Sequence, residues 1–504
     1  MSTVRFRVWP VQLLYARMLC RPLQKLFWRR CRIVALIVCT SMTQLAVAGD
    51  SDQLPAVIRD AMSRHHIAQR DVSIYIHPVE SSAPILSYRA DTARPPASTI
   101  KLLTTLAALE DLGPAFRWKT KFYADAPVRE GRLEGNLYIQ GFGDPSLVLE
   151  QFWRMLYELR GTGLREITGD LVIDHSYFAD EPGDPGEFDG QPLRAYNVLP
   201  SALLVNFQAV RLRFIPLDDS LRIVAEPMPA DLTLDNRVML RTGKPCHGWM
   251  SGLGMRVKPS AKGTNLVFSG RYDAACGERE MYRAISDPAP FLLGTFRSLW
   301  RDLGGRLHGG IREARVPEAA KELYVGESPP LGEIVRGINK FSNNVMTRQL
   351  VMTLGAERRQ PPGSTDKGIT VVRAWMERRG MNFPELVIEN GTGLSRLERI
   401  SARHLGDVLL VGYHSPVMPE FMASLPIAAV DGTVKKKFDG PMAGRMHLKT
   451  GRLDNVRALA GYVLDRTDRR YVVVILQNHG HANTHGGEQL EEAVLRWVFA
   501  GGPR

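Results

Sequence analysis

Beyond residue 48 this chain of 504 residues has only two cysteines, Cys246 and Cys276. Two isolated thiols cannot supply the ligand cluster of a structural zinc site, so no metal is expected from them. The same stretch lacks any apolar run near the ~20 residues that cross a bilayer, and it lacks internal repeats and low-complexity tracts. The clustered Lys/Arg footprint of a nucleic-acid binder is also missing, which excludes nucleic acid as a partner. Lys435-Lys436-Lys437 is a lone run, read as a solvated face or as charges guarding an edge strand. A composition of 44% hydrophobic and 23% charged residues excludes general disorder.

The first 48 residues contain no acidic residue at all, yet they hold seven Arg, one Lys and the other three cysteines. A basic stretch, an apolar run from Ile33 to Cys39 and an ending in Ala46-Val47-Ala48 together read as a secretory signal peptide over residues 1–48. Thr40, Ser41, Thr43 and Gln44 interrupt the apolar run, so no stable transmembrane anchor is expected. The formal charge of +12 therefore shrinks to about +4 once the leader is set aside. Export places Cys246 and Cys276 in an oxidising compartment, where a disulfide between them is expected.

The texture then changes along the chain. Val72 to Ile76 alternates like a strand, and the run after Ser98 carries an apolar helical stripe through Leu112, ended by Gly113-Pro114. From about residue 119 to 287 short alternating runs dominate, for example Asp170 to Ile173 and Val210 to Phe214. One helical piece, Val148 to Leu159, interrupts them. Helical texture returns from Pro288, and the C-terminal part reads as three consecutive antiparallel strands followed by a helix, Glu488 to Val498. The fold class is α/β and multi-domain: residues 49–118 and 288–504 form one α/β domain, interrupted by an inserted, mostly-β region over 119–287.

Three short motifs carry chemistry. In Ser98-Thr99-Ile100-Lys101 the serine and lysine are three residues apart and share a helix face. A serine hydroxyl needs a base within hydrogen-bonding reach, and a lysine serves if burial and a second cation depress its pKa. Ser342-Asn343-Asn344 offers a proton-relaying hydroxyl and a carboxamide that can hold a substrate amide. Lys449-Thr450-Gly451 ends a strand. Lys449 supplies the second cation, Thr450 can bond a carboxylate, and Gly451 lets a ligand approach the backbone. Backbone N–H groups of Ser98 and Arg452 are candidates for an oxyanion hole. Each motif alone has a plain structural reading: a surface lysine, a helix-cap cluster, a charged edge strand. Ser364-Thr365-Asp366-Lys367 is a decoy in which Ser364 is better read as an N-cap, and Arg241-Thr242-Gly243 is assigned to a loop.

Taken together, the three motifs match the trio of class A β-lactamases and penicillin-binding proteins. The chain resembles the low-molecular-mass class C penicillin-binding proteins, D-alanyl-D-alanine carboxypeptidase/endopeptidases. Gly143 to Leu147, Tyr196 to Pro200, Asn390 to Ser395, Leu425 to Thr433 and Leu448 to Val463 also resemble family segments. The long gap between Ser98 and Ser342 fits a class with domains inserted between the first two motifs.

The resemblance implies a β-lactamase/transpeptidase-like domain, with a five-stranded antiparallel sheet between helices. It implies Ser98, Lys101, Ser342, Asn344 and Lys449 as catalytic residues, Thr450, Gly451 and Arg452 as substrate-binding residues, and no metal or other cofactor. It further implies a periplasmic location, peptidoglycan peptides as substrates and β-lactams as covalent inhibitors. Asn343 stands where the pattern has Asp, at a position facing away from substrate. Arg452 stands where a small hydroxyl residue is common, and it either strengthens carboxylate binding or crowds the cleft. Asp189 is the candidate for reading a substrate amino group, beside its reading as a surface-loop residue. The competing readings are a β-lactamase or esterase with the same machinery, and a non-catalytic cell-wall binding module.

Overall fold

The computed structural model describes residues 53–260 and 263–502, so the leader read over residues 1–48 lies outside the described residues. At its centre is a five-stranded antiparallel sheet. We label its strands β1 (Val72–Pro78), β2 (Leu86–Tyr88), β3 (Met446–Leu453), β4 (Val456–Leu464) and β5 (Arg470–Asn478), in spatial order β3-β4-β5-β1-β2. Strands from the two ends of the chain thus meet where β1 pairs with β5.

The unbroken apolar run Val472 to Leu476 follows from this placement, because β5 is covered on both faces. Val472, Val474 and Leu476 point to one core, Val473 and Ile475 to the other. The second core is closed by α1 (Ala56–Arg64) and, at the other end of the chain, a helix over His485–Phe499. The first is closed by the middle helices, chief among them α2 (Lys101–Leu112). Buried residues run continuously along α2 from Lys101 to Leu109, so it is a central helix with no solvent face over that stretch.

The inserted region builds separate sheets. Strands Lys119–Ala124, Leu137–Gly141 and Leu171–Asp174 form one of them, packed on α3 (Leu149–Gly161) and α4 (Pro288–Asp302). That sheet continues into Ile311–Glu313 and Lys321–Glu327, with Lys119 paired to Glu327. Sheet pairing therefore carries the inserted fold past residue 287, where the sequence texture ends it. Helical periodicity marks α4 as a helix but does not say which sheet it covers. Two three-stranded sheets, from residues 209 to 284, enclose a further core around Phe214, Phe268 and Tyr272.

Cys246 and Cys276 are joined by a disulfide. Arg241 closes a strand, Leu232–Arg241, and Thr242-Gly243 follow in the loop. Lys435 to Lys437 do not guard an edge strand. They follow a short turn, Gly432–Val434, and Lys437 Nζ reaches Glu488 at 3.1 Å. No helix of the described residues is long and apolar enough to cross a membrane.

The disulfide closes a loop spanning strands Leu253–Ser260 and Gly263–Asp273, which in the chain-entropy model is worth roughly 3 kcal/mol. Replacing both cysteines by serine is expected to weaken amide hydrogen-exchange protection in Gly263–Asp273 and leave it unchanged in β3 to β5. Unchanged protection in Gly263–Asp273 would contradict this.

Candidate active site

Ser98 sits in a 3₁₀ turn, Ala97–Ile100, that runs into α2. Ala97 has φ 45°, in the left-handed region that side chains with a Cβ seldom occupy. Two distant glycines press on this turn. A Cβ at Gly393 would lie 2.0 Å from the Ala97 carbonyl oxygen, and one at Gly451 would lie 3.0 Å from the Ser98 nitrogen. Only residues without a side chain let both segments close on the turn.

One helical turn later, Lys101 is 0% exposed and cannot snorkel to water. Its Nζ lies 3.0 Å from Ser98 Oγ, donates to Asn344 Oδ1 at 2.7 Å and donates to the Thr392 carbonyl oxygen. A neutral amine has two N–H bonds and one lone pair. The two carbonyl-type oxygens only accept, so they take both N–H bonds and leave the lone pair facing the Ser98 hydroxyl. Burial pushes the Lys101 ammonium well below the ordinary lysine value, and the nearby Lys449 charge pushes it further, while Glu398 pulls the other way.

Asn344 opens α6 (Asn344–Arg359), joined through Ser342 to the end of α5 (Leu331–Phe341). Asn343 is the N-cap of α6, its side-chain oxygen accepting the Met346 N–H at 3.0 Å. The middle position of this motif is therefore spent on capping, and a carboxamide serves there as well as a carboxylate. Lys449 is also 0% exposed, and its Nζ lies 2.8 Å from Ser342 Oγ and 2.7 Å from the Thr450 carbonyl oxygen. Burial alone brings Lys449 down to about 7.

Beside this cluster the edge of β3 is partly covered. The Leu448 N–H donates to Pro426 O at 2.8 Å, and the Ala428 N–H donates to Met446 O at 3.0 Å. Alternation along an antiparallel strand turns the N–H groups of residues 450 and 452 to the same edge as that of 448. Thr450 Oγ1 lies 2.8 Å from Thr433 Oγ1. The Arg452 side chain is exposed, and its Nη2 donates to Asn483 O at 3.3 Å.

Several residues here carry no role in the sequence reading. Glu398 is buried, and its carboxylate accepts the N–H groups of Glu389, Asn390, Gly391 and Gly393 at 2.8 to 3.2 Å. Burial pushes its carboxyl up, against the pull of those N–H groups and of Lys101. Glu398 thereby curls the loop that carries the Thr392 carbonyl to Lys101. Arg348, Glu389, Leu394 and Arg396 line an adjoining cavity of about 390 Å³, whose far wall includes Glu181 and Phe188 of the inserted region. Asp189 does not line it. Its carboxylate is taken up by Tyr196 Oη at 2.5 Å, Asn197 Nδ2 at 2.9 Å and the Gln191 N–H at 2.9 Å. The decoy resolves as an N-cap: Ser364 Oγ accepts the Lys367 N–H at 3.2 Å, and Lys367 Nζ turns to Pro362 O.

Comparison with known proteins gives a consistent set. A family model described as "D-Ala-D-Ala carboxypeptidase 3 (S13) family" matches residues 54–498. A D-alanyl-D-alanine carboxypeptidase of Actinomadura sp. (strain R39) is 31% identical over 388 residues, 73% of this chain and 70% of that protein. The D-alanyl-D-alanine carboxypeptidase DacB of Haemophilus influenzae is 24% identical over 77% of this chain and 81% of its own length. The crystal structure of penicillin binding protein 4 from Haemophilus influenzae has the same fold, with a TM-score of 0.72 at 21% identity over 88% of this chain and 99% of that one.

The two depressed lysines set a pH dependence. Acylation of Ser98 by a p-nitrophenyl ester is expected to rise as pH climbs through the Lys101 value, the behaviour of a reaction whose base is the neutral amine. It falls again as Lys449 loses its charge near pH 7. In Lys449→Met a like charge beside Lys101 is gone, its pKa rises and the acid limb moves to higher pH. A stopped-flow pH profile checks this, and an acid limb unmoved in the variant refutes the coupling.

Proposed function

The chain belongs to the D-Ala-D-Ala carboxypeptidase 3 (S13) family, and from that premise we propose a serine-type D-Ala-D-Ala carboxypeptidase/endopeptidase that is exported and acts on peptidoglycan stem peptides through an acyl-enzyme on Ser98. The observation that carries this reading is the buried Lys101 Nζ, 3.0 Å from Ser98 Oγ and also bonded to Asn344 Oδ1 and the Thr392 carbonyl oxygen.

In the proposed sequence the peptide lies along the free part of the β3 edge, extending the sheet by one strand. Ser98 Oγ attacks the carbonyl carbon of the penultimate D-alanine as its proton passes to Lys101 Nζ. The developing oxyanion is received by the N–H groups of Ser98 and Arg452. Asn344 holds the substrate amide. Ser342, beside the Lys449 ammonium, relays that proton from Lys101 Nζ to the departing nitrogen, so Ser342 ends as a hydroxyl and Lys101 as a neutral amine. The C–N bond breaks and D-alanine leaves, its carboxylate released from Thr450. Water, deprotonated by Lys101, then cleaves the ester. A β-lactam presents the same carbonyl and carboxylate, and opening its ring leaves the same serine acylated. A crystal structure of the Haemophilus influenzae protein is described as complexed with a novel beta-lactam, which supports this part of the reading. The cavity walled by Arg348 and Arg396 offers room for upstream residues of the stem peptide.

Ser98→Ala is expected to lower D-alanine release by roughly 10⁴-fold or more and to abolish labelling by a fluorescent penicillin. Mass spectrometry of digested muropeptides separates the activities: loss of one D-alanine marks the carboxypeptidase, conversion of dimers to monomers the endopeptidase. Rapid turnover of the penicillin instead of a persistent adduct would favour a β-lactamase. Peptidoglycan binding with no adduct would favour a non-catalytic module.

A further inference from the structure

A segment that the mechanism above leaves unused reaches the site from the far side of β3. Lys340, in the last turn of α5 and two residues before Ser342, is buried. Its Nζ donates to Leu425 O at 2.9 Å and to one carboxylate oxygen of Asp431 at 2.6 Å. The other Asp431 oxygen accepts the Ile427 N–H at 2.8 Å. This ion pair, buried at Lys340 and partly exposed at Asp431, ties the segment 425–433 to the helix that delivers Ser342. The same segment covers the β3 edge at residues 446–448 and stops where the free edge begins.

Thr433 stands at that stopping point. It is exposed, and its Oγ1 lies 2.8 Å from Thr450 Oγ1. Residues 450 and 452 share a face of the strand, but the Arg452 guanidinium is drawn off to Asn483 O. The hydroxyl beside Thr450 at the mouth of the free edge is therefore that of Thr433. Each hydroxyl has one hydrogen to donate and rotates freely to aim it. Two such donors at this spacing can each take one oxygen of a single carboxylate, and hydrogen bonds to an ionised acceptor are roughly twice as strong as neutral ones.

We propose that Thr433 is a specificity-determining residue: with Thr450 it forms a two-hydroxyl clamp for the carboxylate next to the scissile nitrogen, held in place by the Lys340–Asp431 pair. A terminal D-alanine carries that carboxylate, and so does any D-amino acid acylated on its α-nitrogen, so the clamp selects the chemistry on the leaving side of the bond. The inference rests on the acyl-enzyme reading given above.

The test compares two thioesters of N-benzoyl-D-alanine, one with thioglycolate as leaving group and one with its uncharged methyl ester. Thr433→Val is expected to raise KM for the carboxylate-bearing thioester about tenfold while kcat stays within about twofold. The uncharged substrate is unaffected, and Thr433→Ser restores the wild-type KM. An equal loss on both substrates would make Thr433 merely structural and overturn the clamp, as would no loss on either. Penicillin labelling of the wild-type protein separates the two levels. A rate of labelling at subsaturating penicillin that is the same for Thr433→Val and wild type sinks the clamp alone, whereas absence of labelling and of thioester turnover sinks the acyl-enzyme reading beneath it.

Discussion

An amine shut away from water between two carbonyl oxygens is the constraint on which the site depends. A lysine ammonium strongly resists burial, and the structure buries two of them close enough to repel. The strain is relieved when Lys101 gives up its proton, and the acceptors from Asn344 and Thr392 decide where the freed lone pair points. At a surface the amine would keep its proton and the base would be lost. For that reason α2 has to be buried all round rather than amphipathic.

Everything else converges to keep that amine enclosed. The turn holding Ser98 is pinned by glycines from two segments more than 290 residues downstream in the chain. Glu398, with four backbone N–H groups on one carboxylate, is a template for the loop that supplies the Thr392 oxygen. Asn343 spends its side chain on starting α6 so that its neighbour Asn344 can face inward. The machinery is thus a small set of side chains held by a larger set of backbone contacts.

That division explains what the sequence could convey. Ser98, Lys101, Asn344 and Lys449 were nameable because their chemistry demands particular side chains at particular spacings, and helical geometry fixes the first pair locally. The three C-terminal strands were legible because apolar runs between turn residues have few other uses. Thr392 was not nameable, since a carbonyl oxygen is common to every residue. Glu398 acts through the curl of its own loop and through its charge near Lys101, and both depend on where the loop comes to rest. The partners of Arg452 and Asp189 depend on where distant loops come to rest, so neither a role in crowding the cleft nor one in reading an amine could be decided from identity alone. Of the two readings of the lysines at 435–437, a solvated face and an edge guard, the first fits the exposed Lys435 and Lys436, while the β3 edge nearest them is covered by Pro426 and Ala428. The extent of the inserted region was misjudged for a similar reason, since α4 reads the same whichever sheet it covers.

The pairing of Lys119 with Glu327 has a consequence of its own. The chain departs from the catalytic half and comes back to it through two hydrogen-bonded neighbours, while Ser201 with Gln349 and Thr365 with Glu181 tie the excursion to the helices beside the site. Lengthening or trimming a loop of the excursion away from those contacts costs only the slow logarithmic growth of loop-closure entropy. A scaffold arranged in this way can trade one outlying appendage for another over evolutionary time, or accept a guest domain there in the laboratory.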